Sequence, residues 1–124
     1  MHLLFTARIF DLKSWGVDYP NYGASIAEYP IDTARFRNVV SLVAEHSGWD
    51  SPLRARQGRG IAVHRSILTY VAAVARVSVA VDGTPTVRRV DIAVDCGMVE
   101  NPDRVAAQFE GAVIMSLATR CTAI

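Results

Sequence analysis

The segment from Gly83 to Ala112 limits the fold of this chain more than any other, because it can be read as strand, turn and helix in succession. Val90, Ile92 and Val94 alternate with Asp91, Ala93 and Asp95, and a period of two puts the apolar residues on one face of a strand. The strand ends at Gly97. Asn101 then stands where a helix needs an N-cap, Pro102 follows at the first helical position, where a missing N–H costs nothing, and Asp103 sits in the first turn, where the helix dipole favours an anion. The spacing predicts a helix to about Ala118, with Val105, Phe109, Ala112, Val113 and Ser116 as its packing stripe, widened by Met115 and Leu117.

The upstream half supplies partners for this unit. Phe36, Val39, Val40 and Val43 recur at helical spacing between Asp32 and Ser47, with Asp32 or Thr33 as cap and Gly48 as a left-handed stop. The polar stretch Ser51 to Gly58 connects to a short strand over about Arg59 to Arg65. A second strand is expected over 71–81, with Val77, Val79 and Val81 on one face. Asp82-Gly83-Thr84-Pro85 provides turn chemistry before the strand 86–95. The expectation is an α+β fold: a small antiparallel sheet with helices packed on one face, each element hiding its single apolar side. A length of 124 residues suits one domain. Residues 1–31 form an irregular N-terminal segment, in which Tyr, Pro, Gly and Asn concentrate between Asp18 and Pro30, and residues 32–124 carry the α+β unit.

Thirteen basic residues against twelve acidic ones, with no run of either sign, give no nucleic-acid track and no membrane-binding surface. The apolar start Met1 to Ala7 is interrupted by Arg8, Asp11 and Lys13, far short of a membrane span, and no basic region precedes it as in a signal peptide. Cys96 and Cys121 lack a Cys-x-x-Cys spacing, and His2, His46 and His64 lie far apart, so no metal site is expected and a reducing cytoplasm is the default compartment. No catalytic residue is assigned. Glu110 has no partner at a useful spacing and reads as a solvated helix residue, and Cys96 reads as a small buried one. Gly58-Arg59-Gly60 precedes a strand, so no helix N-terminus follows it to receive an anion.

Three motifs in order, Ala93-Val94-Asp95-Cys96-Gly97, Asn101-Pro102-Asp103 and Ala107-Gln108-Phe109-Glu110-Gly111, carry a family resemblance, extended upstream by Gly58 to His64 and Tyr70 to Val79. The chain resembles the molybdopterin-binding large subunits of the molybdenum hydroxylases, the xanthine dehydrogenase and aldehyde oxidase superfamily. Within it, the chain looks most like the isoquinoline 1-oxidoreductase beta subunit. The resemblance implies that Gln108 contacts the pterin of the molybdopterin cofactor, a task suited to a carboxamide that both donates and accepts. It also implies a close approach at Gly111, from the cofactor or from a neighbouring strand, since glycine inside a helix otherwise costs about 1 kcal/mol against alanine.

The partners implied are the remaining large-subunit segments and an iron–sulfur subunit, in the cytoplasm or, for some of the family, the periplasm. The complete enzyme hydroxylates an N-heterocycle or aldehyde. The family's catalytic glutamate sits in a Gly-Glu-Pro-Gly-like loop downstream of the matching helix and is not in this sequence. Ala112, Met115-Ser116 and the tail from Thr119 to Ile124 also depart from the family's pattern. Two expectations follow. The first is a segment of a molybdopterin-dependent oxidoreductase that neither holds the cofactor nor turns over alone. The alternative is a cofactor-free binding or assembly module, with exposed valine-rich strand edges and a homodimer as the economical partner.

Overall fold

In the computed structural model, which describes residues 23–25 and 27–121, three strands form one antiparallel sheet in the order β1 (Gln57–Ser66), β2 (Thr69–Val79), β3 (Pro85–Asp95). Helix α1 (Thr33–Ser47) precedes the sheet and helix α2 (Pro102–Cys121) follows it. This is the expected α+β class. The expectations for the apolar start, for His2 and for the last three residues lie outside the described residues.

The turn between β2 and β3 follows from local chemistry, whereas the one between β1 and β2 is imposed by the strand pairing, since β-branched Ile67 takes a positive φ there. The β1–β2 turn is tight, with Ser66 paired to Thr69 and Ile67 at φ 53°. Between β2 and β3, the Ala80 N–H donates to Thr84 O at 2.9 Å and the Thr84 N–H to the Asp82 carboxylate at 2.9 Å, with Gly83 taking the positive φ of 91°. The second strand begins and ends two residues earlier than its valines suggest. Val79 is its last residue, and Val81, expected on the strand face, is 87 % exposed in the turn.

Apart from a register shift between Arg76 and Val77, the pairing sorts the strand residues to two faces. Tyr70 lies opposite Arg65 and Asp95, Ala72 opposite Val63 and Ala93, and Val74 opposite Ile61 and Asp91. This inner face receives α1: Val39, Val40 and Val43 pack with Tyr70, Ala72, Val74 and Ala93, and Phe36, Trp49, Ile61 and Val63 close the edges. Val39, Val43 and Val74 are fully buried, each contributing about 1.5–3 kcal/mol relative to exposure. The outer face carries Val71, Ala73 and Ala75 of β2 with Val90, Ile92 and Val94 of β3, and α2 lies over part of it.

The two helices therefore take opposite faces of the sheet rather than one. The reason is β2: as the central strand it is apolar at both parities, Tyr70, Ala72 and Val74 on one side and Val71, Ala73 and Ala75 on the other, and a strand covered on both faces needs a layer on each.

Arginines from the sheet hold α1 at its C-terminal end. Arg76 donates to Ser47 O at 2.8 Å, and Arg59 donates to Gly48 O and Ser51 O, so two guanidinium groups meet the negative end of the helix dipole. Gly48 ends α1 in the left-handed conformation, φ 63°, its N–H returning to Glu45 O. At the other end the Asp32 carboxylate accepts from the Ala34 and Arg35 N–H groups, the N-cap expected from sequence. The Asp32 N–H donates to the hydroxyl of buried Tyr70 at 2.8 Å, and that hydroxyl donates to Pro30 O at 3.3 Å.

Candidate functional site

The motif residues assemble where β3 gives way to α2. Asp95, last residue of β3, turns its carboxylate toward α1 and accepts from Arg35 Nε at 2.8 Å and Nη2 at 2.6 Å, a two-pronged pair with both side chains a little over one-quarter exposed. Arg35 also donates to Asp95 O at 3.2 Å and lies 4.4 Å over the ring of Tyr70, which Phe36 meets edge-on with ring centres 4.8 Å apart. The hydrogen bonds from Arg35, aided by one from the Gly97 N–H, hold the Asp95 carboxyl below the usual carboxylate range against the opposing effect of burial; the same contact raises Arg35.

This pair spans sixty residues of sequence, and pattern reading misses it because neither residue has a local partner. The aspartate of the Ala-Val-Asp-Cys-Gly run thus anchors the end of β3 to the first turn of α1, and Gly97, φ 79°, then redirects the chain toward α2. Cys96 is half-buried, and its side chain borders the space between β3 and α2.

Asn101 caps α2 as its sequence suggests, its side-chain oxygen accepting from the Arg104 N–H at 3.1 Å. Val105, Phe109, Val113 and Leu117, four residues apart, are half-buried toward the sheet. Ala112, Ser116 and Met115 of the expected stripe are exposed. The contact is loose: an apolar space of about 680 Å³ opens between α2 and β3, and a trough of about 900 Å³ opens between the other flank of α2 and the outer face of the sheet, reaching the β1–β2 turn. His64 is exposed on the trough wall, and Glu110 is exposed at the other opening.

Gln108 and Gly111 are both exposed. At 100° per residue they lie within about 60° of each other, on the side of α2 turned away from Phe109. A Cβ built on Gly111 would meet nothing within 4 Å, so among the described residues no strand approaches it, contrary to the close helix-to-strand contact considered from sequence. The physical reason is the placement of α2, whose outward side no other element of the described residues covers. Among the described residues Gly111 leaves helix backbone facing open space, on the same side of α2 as Gln108.

Among the described residues no three His, Cys, Asp or Glu side chains gather as metal ligands, and no helix is long and apolar enough to cross a membrane. Every buried side-chain polar atom among them is hydrogen-bonded.

A family model described as "Molybdopterin cofactor-binding domain" matches residues 24–122, and the chain belongs to that family. No curated protein and no solved structure matches it.

Proposed function

From that membership we propose that the chain is the cofactor-facing segment of a molybdopterin-dependent oxidoreductase, in which Gln108 hydrogen-bonds the pterin edge and Gly111 admits it against the backbone of α2. The observation that carries this reading is the conjunction of the family match over residues 24–122 with the open position of these two residues on α2. The group fits in part. One carboxamide and one bare patch of helix address a single side of a planar heterocycle, whereas a buried cofactor requires several convergent polar groups.

The remaining contacts and the catalytic base therefore come from other segments of the large subunit, with an iron–sulfur subunit to carry electrons away. When bound, the molybdenum centre supplies the two-electron oxidation. This chain's own residues orient: Gln108 reads the heterocycle edge, while the Arg35–Asp95 pair fixes the end of β3 from which α2 departs. The isoquinoline 1-oxidoreductase type, acting on an N-heterocycle, and a cytoplasmic setting are the finer forms of the reading, supported by the Ala93 to Gly97 and Ala107 to Gly111 motifs.

The test is co-expression of the tagged chain, in a cofactor-competent host, with candidate large-subunit segments and an iron–sulfur subunit taken from the same genome. Co-purification with molybdenum, reduced by Gln108→Ala while the complex stays intact, is expected. A complex whose molybdenum content ignores Gln108→Ala removes the assigned role, and no complex at all removes the reading.

A further inference from the structure

The near-neutral balance of the whole chain hides a separation of charge. Between Arg54 and Arg89 stand seven arginines and one acidic residue, Asp82, whereas the rest of the chain holds six basic and eleven acidic residues. Arg65 is taken up at the Tyr70 end of the sheet, where it donates to Tyr29 O and Pro30 O. The other six gather at the opposite end, where β1 begins, β2 ends and β3 begins.

The pairing sets Arg59 opposite Arg76 and Arg76 opposite Arg89, a row of like charges across all three strands on the inner face. At about 4.8 Å per strand the row is about 10 Å wide, and like charges directly opposite one another destabilise a sheet. Arg59 and Arg76 are engaged by the carbonyls at the end of α1. Arg54, Arg56, Arg88 and Arg89 are exposed, and two of these stand at irregular backbone. Arg76 pairs with Arg89 and Val77 with Val87, so Arg88 is the extra residue of a bulge. Its Nε donates to the hydroxyl of Ser78 at 2.7 Å, on the same side of β2 as Arg76. Arg56 takes φ 61° in the turn closed by the Gln57 N–H donating to Arg54 O at 3.1 Å, a left-handed position that glycine fills without strain. Both irregularities aim an arginine at the same end of the sheet, and such features concentrate at functional sites.

We propose that this end of the sheet is a docking surface for an acidic segment of another polypeptide, whose carboxylates pair with Arg54, Arg56, Arg88 and Arg89. Among the described residues only Arg89 of these four meets a carboxylate, Asp91 at 2.5 Å. The remainder of the chain cannot neutralise the patch, because residues outside the described ones carry Arg8 and Lys13 against Asp11 and Asp18. Guanidinium forks match carboxylates in a two-pronged geometry. A nucleic acid fits less well. Asp50, between the two carbonyls that Arg59 holds, and Asp82, in the β2–β3 turn, border the patch, and a phosphate backbone running past them meets a predominantly acidic remainder. A short acidic segment ends where the arginines end. The patch belongs to the inner face and α2 to the outer one, so this contact is independent of the cofactor contact at Gln108 and Gly111 and compatible with it.

Fluorescence anisotropy on the full chain, with a labelled peptide of about twelve glutamates as the probe, tests this. Saturable binding at low salt, weakened at least about tenfold at about 300 mM salt, is expected. A labelled single-stranded oligonucleotide of equal charge should bind more weakly. Arg54→Ala and Arg88→Ala should each reduce the affinity for the peptide about three- to fivefold, as exposed pairs allow. Arg56→Gly should reduce it likewise while raising the urea midpoint, because glycine relieves the left-handed backbone. Arg104→Ala, exposed on α2, should change nothing. A peptide that does not bind, or that binds the variants at Arg54, Arg56 and Arg88 as it binds the wild-type chain, would overturn the proposal. So would an oligonucleotide that binds as tightly, since the surface would then read phosphate. Molybdenum enters none of these measurements, so their failure is distinct from a failure of the cofactor assignment.

Discussion

Removing the Asp95 carboxylate should separate what the motif does for the fold from what it does for any ligand. Asp95 accepts two short hydrogen bonds from Arg35, at 2.6 and 2.8 Å, and a third from the Gly97 N–H at 3.3 Å. An exposed ion pair contributes at most about 1 kcal/mol, but hydrogen bonds to a charged group in a two-pronged geometry contribute about 1.5–3 kcal/mol. With both side chains a little over one-quarter exposed, the lower part of that range applies, and Asp95→Ala should cost about 2 kcal/mol. Arg35→Ala should cost slightly more, since the guanidinium also lies on the Tyr70 ring, worth about 0.5–1 kcal/mol.

In the double mutant the two losses should overlap by about 1–1.5 kcal/mol. Urea denaturation followed by the fluorescence of Trp49, packed at the edge of the core, reads these values. With a slope near 1.5 kcal/mol/M, Asp95→Ala moves the midpoint down by about 1.3 M. The pH dependence is a second reading. The Asp95 carboxyl is depressed in the folded chain by its bond from Arg35, so the unfolded state takes up its proton first as pH falls. The stabilisation is complete above the unfolded value of about 3.9, and it is lost as pH drops below that toward the folded value. The stability gap between wild type and Asp95→Asn should therefore be constant from neutral pH to about 5 and close below about 4. A coupling under about 0.3 kcal/mol, or a gap indifferent to acid, would refute the reasoning.

Other outcomes follow from the same structure. Tyr70→Phe should cost about 1–2 kcal/mol, because the hydroxyl bridges the Asp32 N–H and Pro30 O within a buried site; an unchanged urea midpoint would argue against that bridge. Asn101→Ala should cost about 1 kcal/mol of α2 stability. Because α2 rests loosely on the sheet, the loss should appear as faster amide exchange in its first turns before it appears in the global midpoint; unaltered exchange there would count against the cap. The chain purified alone from a cofactor-competent host should carry no stoichiometric molybdenum and oxidise no N-heterocycle or aldehyde in a dye-linked assay. Turnover abolished by Gln108→Ala would show instead that the chain is a working site by itself.

What the sequence determined was local. Asp32 and Asn101 cap helices, Gly48 ends one in the left-handed conformation, and Asp82-Gly83 closes the hairpin, because each is a contest between a side chain and the backbone within a few residues of itself. The motif from Ala93 to Gly111 was equally legible as strand, turn and helix, and with it the family.

Only the tertiary structure decided which face each helix takes. Alternation in β2 is apolar at both parities, and a periodicity of two says which residues share a side without saying what covers it. It likewise decided the pairing of Arg35 with Asp95 and the seating of Arg59 and Arg76 on the end of α1, since a charge finds its partner through space and carries no mark of it along the chain. Gly111 shows the same divide: its sequence position asks for a close neighbour, and the described fold leaves that side of α2 open, because one three-stranded sheet can occupy one side of a helix that is apolar on two.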